Sequence, residues 1–121
     1  IAERYEDVSV LFADIVEFTP LSARLSPTEL VNLLNRIFSL FDELVQQQGL
    51  EKIKTVGDAY MVAGGLPDPS PDHLHAMARL ALAMQEQVRT VRTGEKPVRL
   101  RIGFNVGSVV AGVIEHTGRE H

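Results

Sequence analysis

The sequence predicts an α+β fold in which two helices cover an antiparallel central sheet. Three observations carry that expectation. Val8 to Ala13 is a short β-branched and aromatic run that ends on Asp14. Leu50 to Val56 and Ala59 to Gly64 are two further strand-like runs separated by only Gly57-Asp58. Two segments with apolar residues at spacings of three and four flank that pair. Size allows such a fold: 121 residues make one domain, able to bury about two-thirds of its unfolded surface.

Composition narrows the function classes. The formal charge is −4 and acidic and basic residues are interleaved, so the basic stripe that nucleic-acid binding needs is missing and no nucleic acid is expected as a partner. No apolar run approaches the roughly 18 residues of a membrane span, and Ile1-Ala2-Glu3-Arg4 is not a signal peptide. The domain is expected to make no direct membrane contact. There is no cysteine, which fits a reducing compartment. The expected location is cytoplasmic, for the domain alone or as the cytosolic part of a larger, even membrane-anchored, protein.

Residues 1–7 are polar and unpatterned and read as the end of a linker, with the domain proper over 8–121. Val8 to Ala13 reads as a strand buried on both faces and central in its sheet, closed by Asp14. Ser26-Pro27-Thr28-Glu29 is a helix start, with Ser26 as N-cap, Pro27 at the first helical position and Glu29 completing a capping box. That helix is predicted to run to about Gln48. Leu30, Leu34, Ile37, Phe38, Phe41, Leu44 and Val45 form its apolar stripe; Leu33 and Leu40 fall off the stripe's centre. Gly49 is the expected left-handed C-terminal residue.

Gly57-Asp58 has the length and composition of a type II′ hairpin turn, which pins Asp58 at the sheet end. After the rigid stretch Leu66 to Pro71, a second helix is expected, capped by Ser70 with Pro71 or by Asp72. It carries Leu74, Met77, Leu80, Ala81, Met84, Val88 and Val91, and Gly94 and Pro97 end it. Val98 to Val106 alternates as a half-buried strand, Gly107-Ser108 turns the chain, and Val109 to Ile114 is a further strand. The order is that of a ferredoxin-like βαββαβ fold with an additional strand hairpin. Fold alone does not give function.

In this topology the end of the first strand lies beside the hairpin tip, so Asp14 and Asp58 are expected to converge. Two carboxylates about 4 Å apart repel by roughly 4 kcal/mol at an effective dielectric of 20, and such a pair normally shares a proton or is neutralised by a cation. Oxygen-only ligands favour Mg²⁺ or Mn²⁺, with phosphate completing the shell. The turn Ile15 to Thr19 can point successive backbone N–H groups at phosphates. Plainer readings stand beside these: Asp14 as a turn residue, Lys54 as a solvated edge charge, Met77 and Met84 as core filler. His73 and His75, at a helix start without cysteines, are not expected to bind metal.

Three segments carry a resemblance. Val10-Leu11-Phe12-Ala13-Asp14-Ile15-Val16-Glu17-Phe18-Thr19, Glu51 to Val62 (EKIKTVGDAYMV) and Leu100 to Ile114 (LRIGFNVGSVVAGVI) resemble, in order and at compatible spacing, the three opening blocks of class III nucleotide cyclase catalytic domains. The likeness spans Val8 to Ile114, and it implies the class III cyclase fold.

The resemblance implies a role for each matching residue. Asp14 and Asp58 match the family's metal-binding and catalytic aspartates, with the Ile15 carbonyl as an extra ligand for two Mg²⁺ or Mn²⁺ ions. The backbone of Ile15, Val16, Glu17, Phe18 and Thr19 matches the triphosphate turn, with Gly57 beside it. Lys54 matches the base-reading position, which is lysine in adenylate cyclases and typically glutamate in guanylate cyclases. A lysine donates to N1 of adenine and finds a protonated N1 on guanine, so the implied substrate is ATP and the product cyclic AMP. The implied mechanism is two-metal in-line attack of the ribose 3′-hydroxyl on the α-phosphorus, releasing pyrophosphate. The implied partner is a second copy in a head-to-tail homodimer, or another paired cyclase domain, with Lys54 contributed in trans.

Two departures from the family pattern matter. Glu17 stands where the family often has glycine. After Ile114 the chain reads EHTGREH, with no counterpart of the second base-contacting residue or of the transition-state asparagine and arginine; Arg119 does not fill that role. The expectation is a domain truncated at its C-terminus. It leaves open a catalytically incomplete cyclase-like module for nucleotide binding or dimerisation. A diguanylate cyclase is set aside, because its Gly-Gly-acidic-acidic-Phe signature is missing.

Overall fold

A computed structural model describes residues 2–66, 68–94 and 96–112. The chain runs as β1 (Ala2–Ile15), α1 (Phe18–Arg24), α2 (Pro27–Gln47), β2 (Glu51–Val56), β3 (Ala59–Gly64), α3 (His73–Val88), β4 (Arg92–Thr93), β5 (Lys96–Pro97) and β6 (Leu100–Gly112). The main sheet has the order β2-β3-β1-β6, every neighbour antiparallel, and β4-β5 forms a separate small ribbon. This is the ferredoxin-like arrangement expected, with β1 central.

Local chemistry explains the helix ends. Ser26 Oγ accepts from the Glu29 amide at 3.2 Å, and Glu29 Oε1 accepts from the Ser26 amide at 2.9 Å, closing the capping box. Gly49, at φ 69°, ends α2 in the left-handed region. Leu33, Ile37, Phe41 and Val45 are the buried line of α2. Leu33 therefore belongs at the centre of the stripe rather than off it, since it lies one turn before Ile37. From α3, Met77, Leu80, Met84 and Val88 complete the core, whereas Leu74 is 42% exposed.

Four expectations are corrected. First, β1 is covered on one face only: Ser9, Leu11, Ala13 and Ile15 bury against the helices, while Phe12 on the other face is 45% exposed, because both helices lie on the same side. Second, residues 2–7 are not an unpaired linker end, since β1 begins at Ala2 and its first residues pair with the far end of β6. Third, Gly107-Ser108 does not turn the chain, because β6 pairs with β1 on both sides of that dipeptide. The extra hairpin is instead β4-β5, around Gly94 at φ 64°; Val91, expected in the helix, lies buried just after it. Fourth, the turn expected over Ile15 to Thr19 is shorter, because Phe18 and Thr19 already belong to the short helix α1. Residues 113–121, including the expected end of the last strand and Arg119, lie outside the described residues.

Candidate active site

β1 ends at the sheet edge where the hairpin β2–β3 turns. Gly57, at φ 59°, takes the first turn position that only glycine adopts without strain. Ala13 pairs with Tyr60, so two residues further on Asp58 stands opposite Ile15. The structure shows the consequence: Asp58 Oδ2 accepts a hydrogen bond from the Ile15 amide at 3.1 Å. That contact sets Asp58 beside the peptide that follows Asp14. The hairpin aspartate is thus held at the end of the strand that carries Asp14.

Asp14 is open to ligands, with 39% of its side chain exposed. Across the β1–β6 ladder it pairs with Arg101, whose guanidinium lies 3.4 Å from Asp14 Oδ1. Sequence reasoning does not single out Arg101, which lies within the alternating strand Val98 to Val106. The signal that finds it is strand register, placing a cation directly opposite the first carboxylate. Both side chains are solvated, so the pair adds little stability; its effect is to hold positive charge beside Asp14.

Past Ile15, Val16 donates its amide to the Arg99 carbonyl at 2.8 Å. Glu17 caps α1 in the left-handed region at φ 58°, a conformation that costs a side-chain-bearing residue roughly 1–2 kcal/mol. This is the position where glycine is at home. Its carboxylate reaches Arg99 at 3.7 Å. Phe18 and Thr19 open α1, where intrahelical bonding leaves N–H groups free for another acceptor. A cavity of about 540 Å³ lies behind this turn, lined by Ile15, Glu17, Arg24, Lys96 and Arg99 among others.

Lys54 is exposed on β2 and not in contact with the aspartates of its own chain among the bonds and ion pairs described. It pairs with Met61, which in turn pairs with Phe12. Lys54 therefore shares the uncovered face of the sheet with Phe12 and Asp14. His73 is 3% exposed and serves structure rather than metal: Nδ1 lies 2.8 Å from Ser9 Oγ and Nε2 3.1 Å from Asp7 Oδ1. Among the described residues no group of three or more metal-ligating side chains gathers; the oxygens of Asp14, Asp58 and the neighbouring backbone carbonyls are the candidate donor set. That set is oxygen-only and fits a hard divalent cation.

Residues 1–120 match the family described as "Adenylate and Guanylate cyclase catalytic domain". The chain belongs to that family. An adenylate cyclase from Mycobacterium tuberculosis is 50% identical over 115 residues, covering 94% of this chain and 26% of the relative. Among solved structures, the adenylyl cyclase CyaB from P. aeruginosa superposes with a TM-score of 0.90 at 28% identity, over 98% of this chain and 64% of that one. The guanylate cyclase domain of RhGC from Catenaria anguillulae, in complex with GTP, gives 0.89 at 36% identity, over 94% and 63%. The chain thus spans about a quarter of the length of that curated relative. The three blocks that suggested a cyclase domain are confirmed as such, and relatives of both nucleotide specificities lie close to it. Among the described residues no helix of this cyclase domain is long and apolar enough to cross a membrane.

Proposed function

We propose that this domain is the catalytic part of an adenylate cyclase, converting ATP to cyclic AMP and pyrophosphate at a site shared by two copies. The observation that carries the reading is the bond from the Ile15 amide to Asp58, which brings the hairpin aspartate to the end of the Asp14 strand. Asp14, Asp58 and the Ile15 carbonyl would hold two Mg²⁺ or Mn²⁺ ions. When bound, such ions acidify the ribose 3′-hydroxyl and neutralise charge on the phosphate oxygens.

The remaining work belongs to the chain. Free N–H groups at Phe18 and Thr19 orient the triphosphate, and Arg101 adds positive charge next to Asp14. Lys54 donates to adenine N1, which supports ATP over GTP, as does the 50% identity to an adenylate cyclase. Because Lys54 points from the uncovered face without meeting its own aspartates, a second copy laid head to tail would receive it. The exposed Phe12 and Val56, at 45% and 62%, and the half-buried Met61 give that face the apolar character of an interface.

A second reading, a nucleotide-binding or dimerisation module without turnover, is favoured by one fact: Glu17 places a carboxylate in the turn that would cradle the phosphates. One assay separates the two. Cyclic AMP formation from ATP with Mn²⁺ is measured for the full-length protein, its Asp58→Ala variant and residues 1–121 alone. Loss of a metal ligand is expected to lower turnover by at least about 100-fold. Equal activity in the aspartate variant removes the metal assignment, and absence of product from every form leaves the binding module.

A further inference from the structure

The hairpin β2–β3 carries two lysines, two positions apart, on opposite faces of the sheet. A regular strand cannot do this, because residues i and i+2 share a face. The tight turn sets the register at one end: Val56 pairs with Ala59, Thr55 with Tyr60 and Lys54 with Met61. Continuing that ladder would pair Ile53 with Val62 and Lys52 with Ala63, and Lys52 would share the uncovered face with Lys54. Instead the register slips at Ile53, and Lys52 pairs with Val62, a fully buried residue on the helix-covered side. A single extra residue, a β-bulge, has turned Lys52 over.

On that side Lys52 meets a prepared site. Its Nζ lies 3.2 Å from Asp42 Oδ1 on α2 and 5.4 Å from the centre of the Tyr60 ring. The Tyr60 hydroxyl donates to the same Asp42 oxygen. Tyr60 is itself immobilised against Phe38 and Phe41, at centroid distances of 5.7 and 5.3 Å. The edge strand needs such a hold: among the described residues β2 is paired on one side only, and it is exposed at all six positions.

We infer that Lys52 is a positioning residue, which with the bulge at Ile53 fixes the edge strand to α2 and so sets the reach of Lys54 on the opposite face. The inference rests on the reading of Lys54 as the base-contacting residue. Recognition of a base by one donor is sensitive to placement, since a hydrogen bond weakens steeply with misalignment. A β2 strand free to shift would present Lys54 over a range of positions and blunt the choice between adenine and guanine.

The test uses the full-length protein with Lys52→Met, which keeps the apolar stem and removes the charge, and Lys52→Arg, which keeps it. Lys52→Met is expected to lower the ATP-over-GTP ratio of kcat/KM by about 3- to 10-fold, chiefly through KM for ATP. It should also speed amide exchange in peptides covering residues 51–56. Lys52→Arg should restore both. In a Lys54→Ala background, Lys52→Met should leave the ratio where Lys54→Ala put it. Equal losses for ATP and GTP, unchanged exchange, or a further shift in the Lys54→Ala background each overturn the inference. If Lys54→Ala alone leaves nucleotide preference unaltered, the base assignment falls instead, and the exchange rates decide the anchor by themselves.

Discussion

Tyr60 shows how one residue links the core to the edge of the sheet. Its ring is fully buried, and its hydroxyl donates to Asp42. Burial, and then the neighbouring carboxylate, push its ionisation well above the ordinary phenol range. The unfolded chain releases this proton near pH 10, whereas the folded chain keeps it. Stability from this group is therefore fully present below about pH 10 and is lost as pH rises above it, by up to about 1.4 kcal/mol per pH unit. Tyr60→Phe removes the hydrogen bond, costing about 1 kcal/mol at pH 7, and removes the alkaline loss as well. Urea unfolding of both proteins at pH 7 and pH 11 checks this: the gap between them should shrink or reverse at the higher pH. Curves that stay parallel would discard the argument.

At the scale of elements, β1, β3 and α3 meet at close quarters. His73, first residue of α3, bonds Ser9 of β1 and approaches Asp7. The end of β3 fits beneath it without side chains: a Cβ on Gly65 would lie 2.5 Å from the Asp7 carbonyl oxygen, at φ +87°. Gly65→Ala must both adopt a left-handed backbone and push β1 away. A loss of more than about 2 kcal/mol is expected, read as a lower denaturant midpoint, while the open turn position Gly94, with nothing within 4 Å of an added Cβ, serves as the control with a smaller loss. Alanine tolerated equally at both would show that the approach to Asp7 yields easily.

The same comparison of elements shows what the sequence could disclose. The capping box at Ser26 and Glu29 and the two-residue turn at Gly57-Asp58 were legible because each is closed by residues within four positions of one another. The bulge at Ile53, the unbroken course of β6 through Gly107, and the pairing of Asp14 with Arg101 were not, because each is imposed by a partner strand distant in sequence. His73 was passed over for a similar reason, as its partners Ser9 and Asp7 lie on β1. Asp58 escaped this limit because a central strand and a tight hairpin leave topology little freedom to move it from the Ile15 amide.

At the scale of the molecule, the two faces of the sheet are unequal. One is closed by α2 and α3; the other presents Phe12, Val56, Met61 and Lys54 around the end of the Asp14 strand. On the proposed reading that face is half of an active site, and its use by a second copy has a numerical signature. A head-to-tail pair with two-fold symmetry holds two sites, each taking its aspartates from one chain and its lysine from the other. Asp14→Ala protein should be inactive as a pure preparation, and Lys54→Ala protein should keep only a small residual turnover. Mixed in equal amounts and allowed to exchange, half of the pairs combine the two variants, and each of those has one intact site and one with both defects. Recovered cyclic AMP formation should then approach about a quarter of the wild-type value at the same total concentration. It should fall on dilution as pairs separate. No recovery in a mixture shown to exchange subunits would mean that aspartates and lysine act within one chain, and the uncovered face would need another occupant.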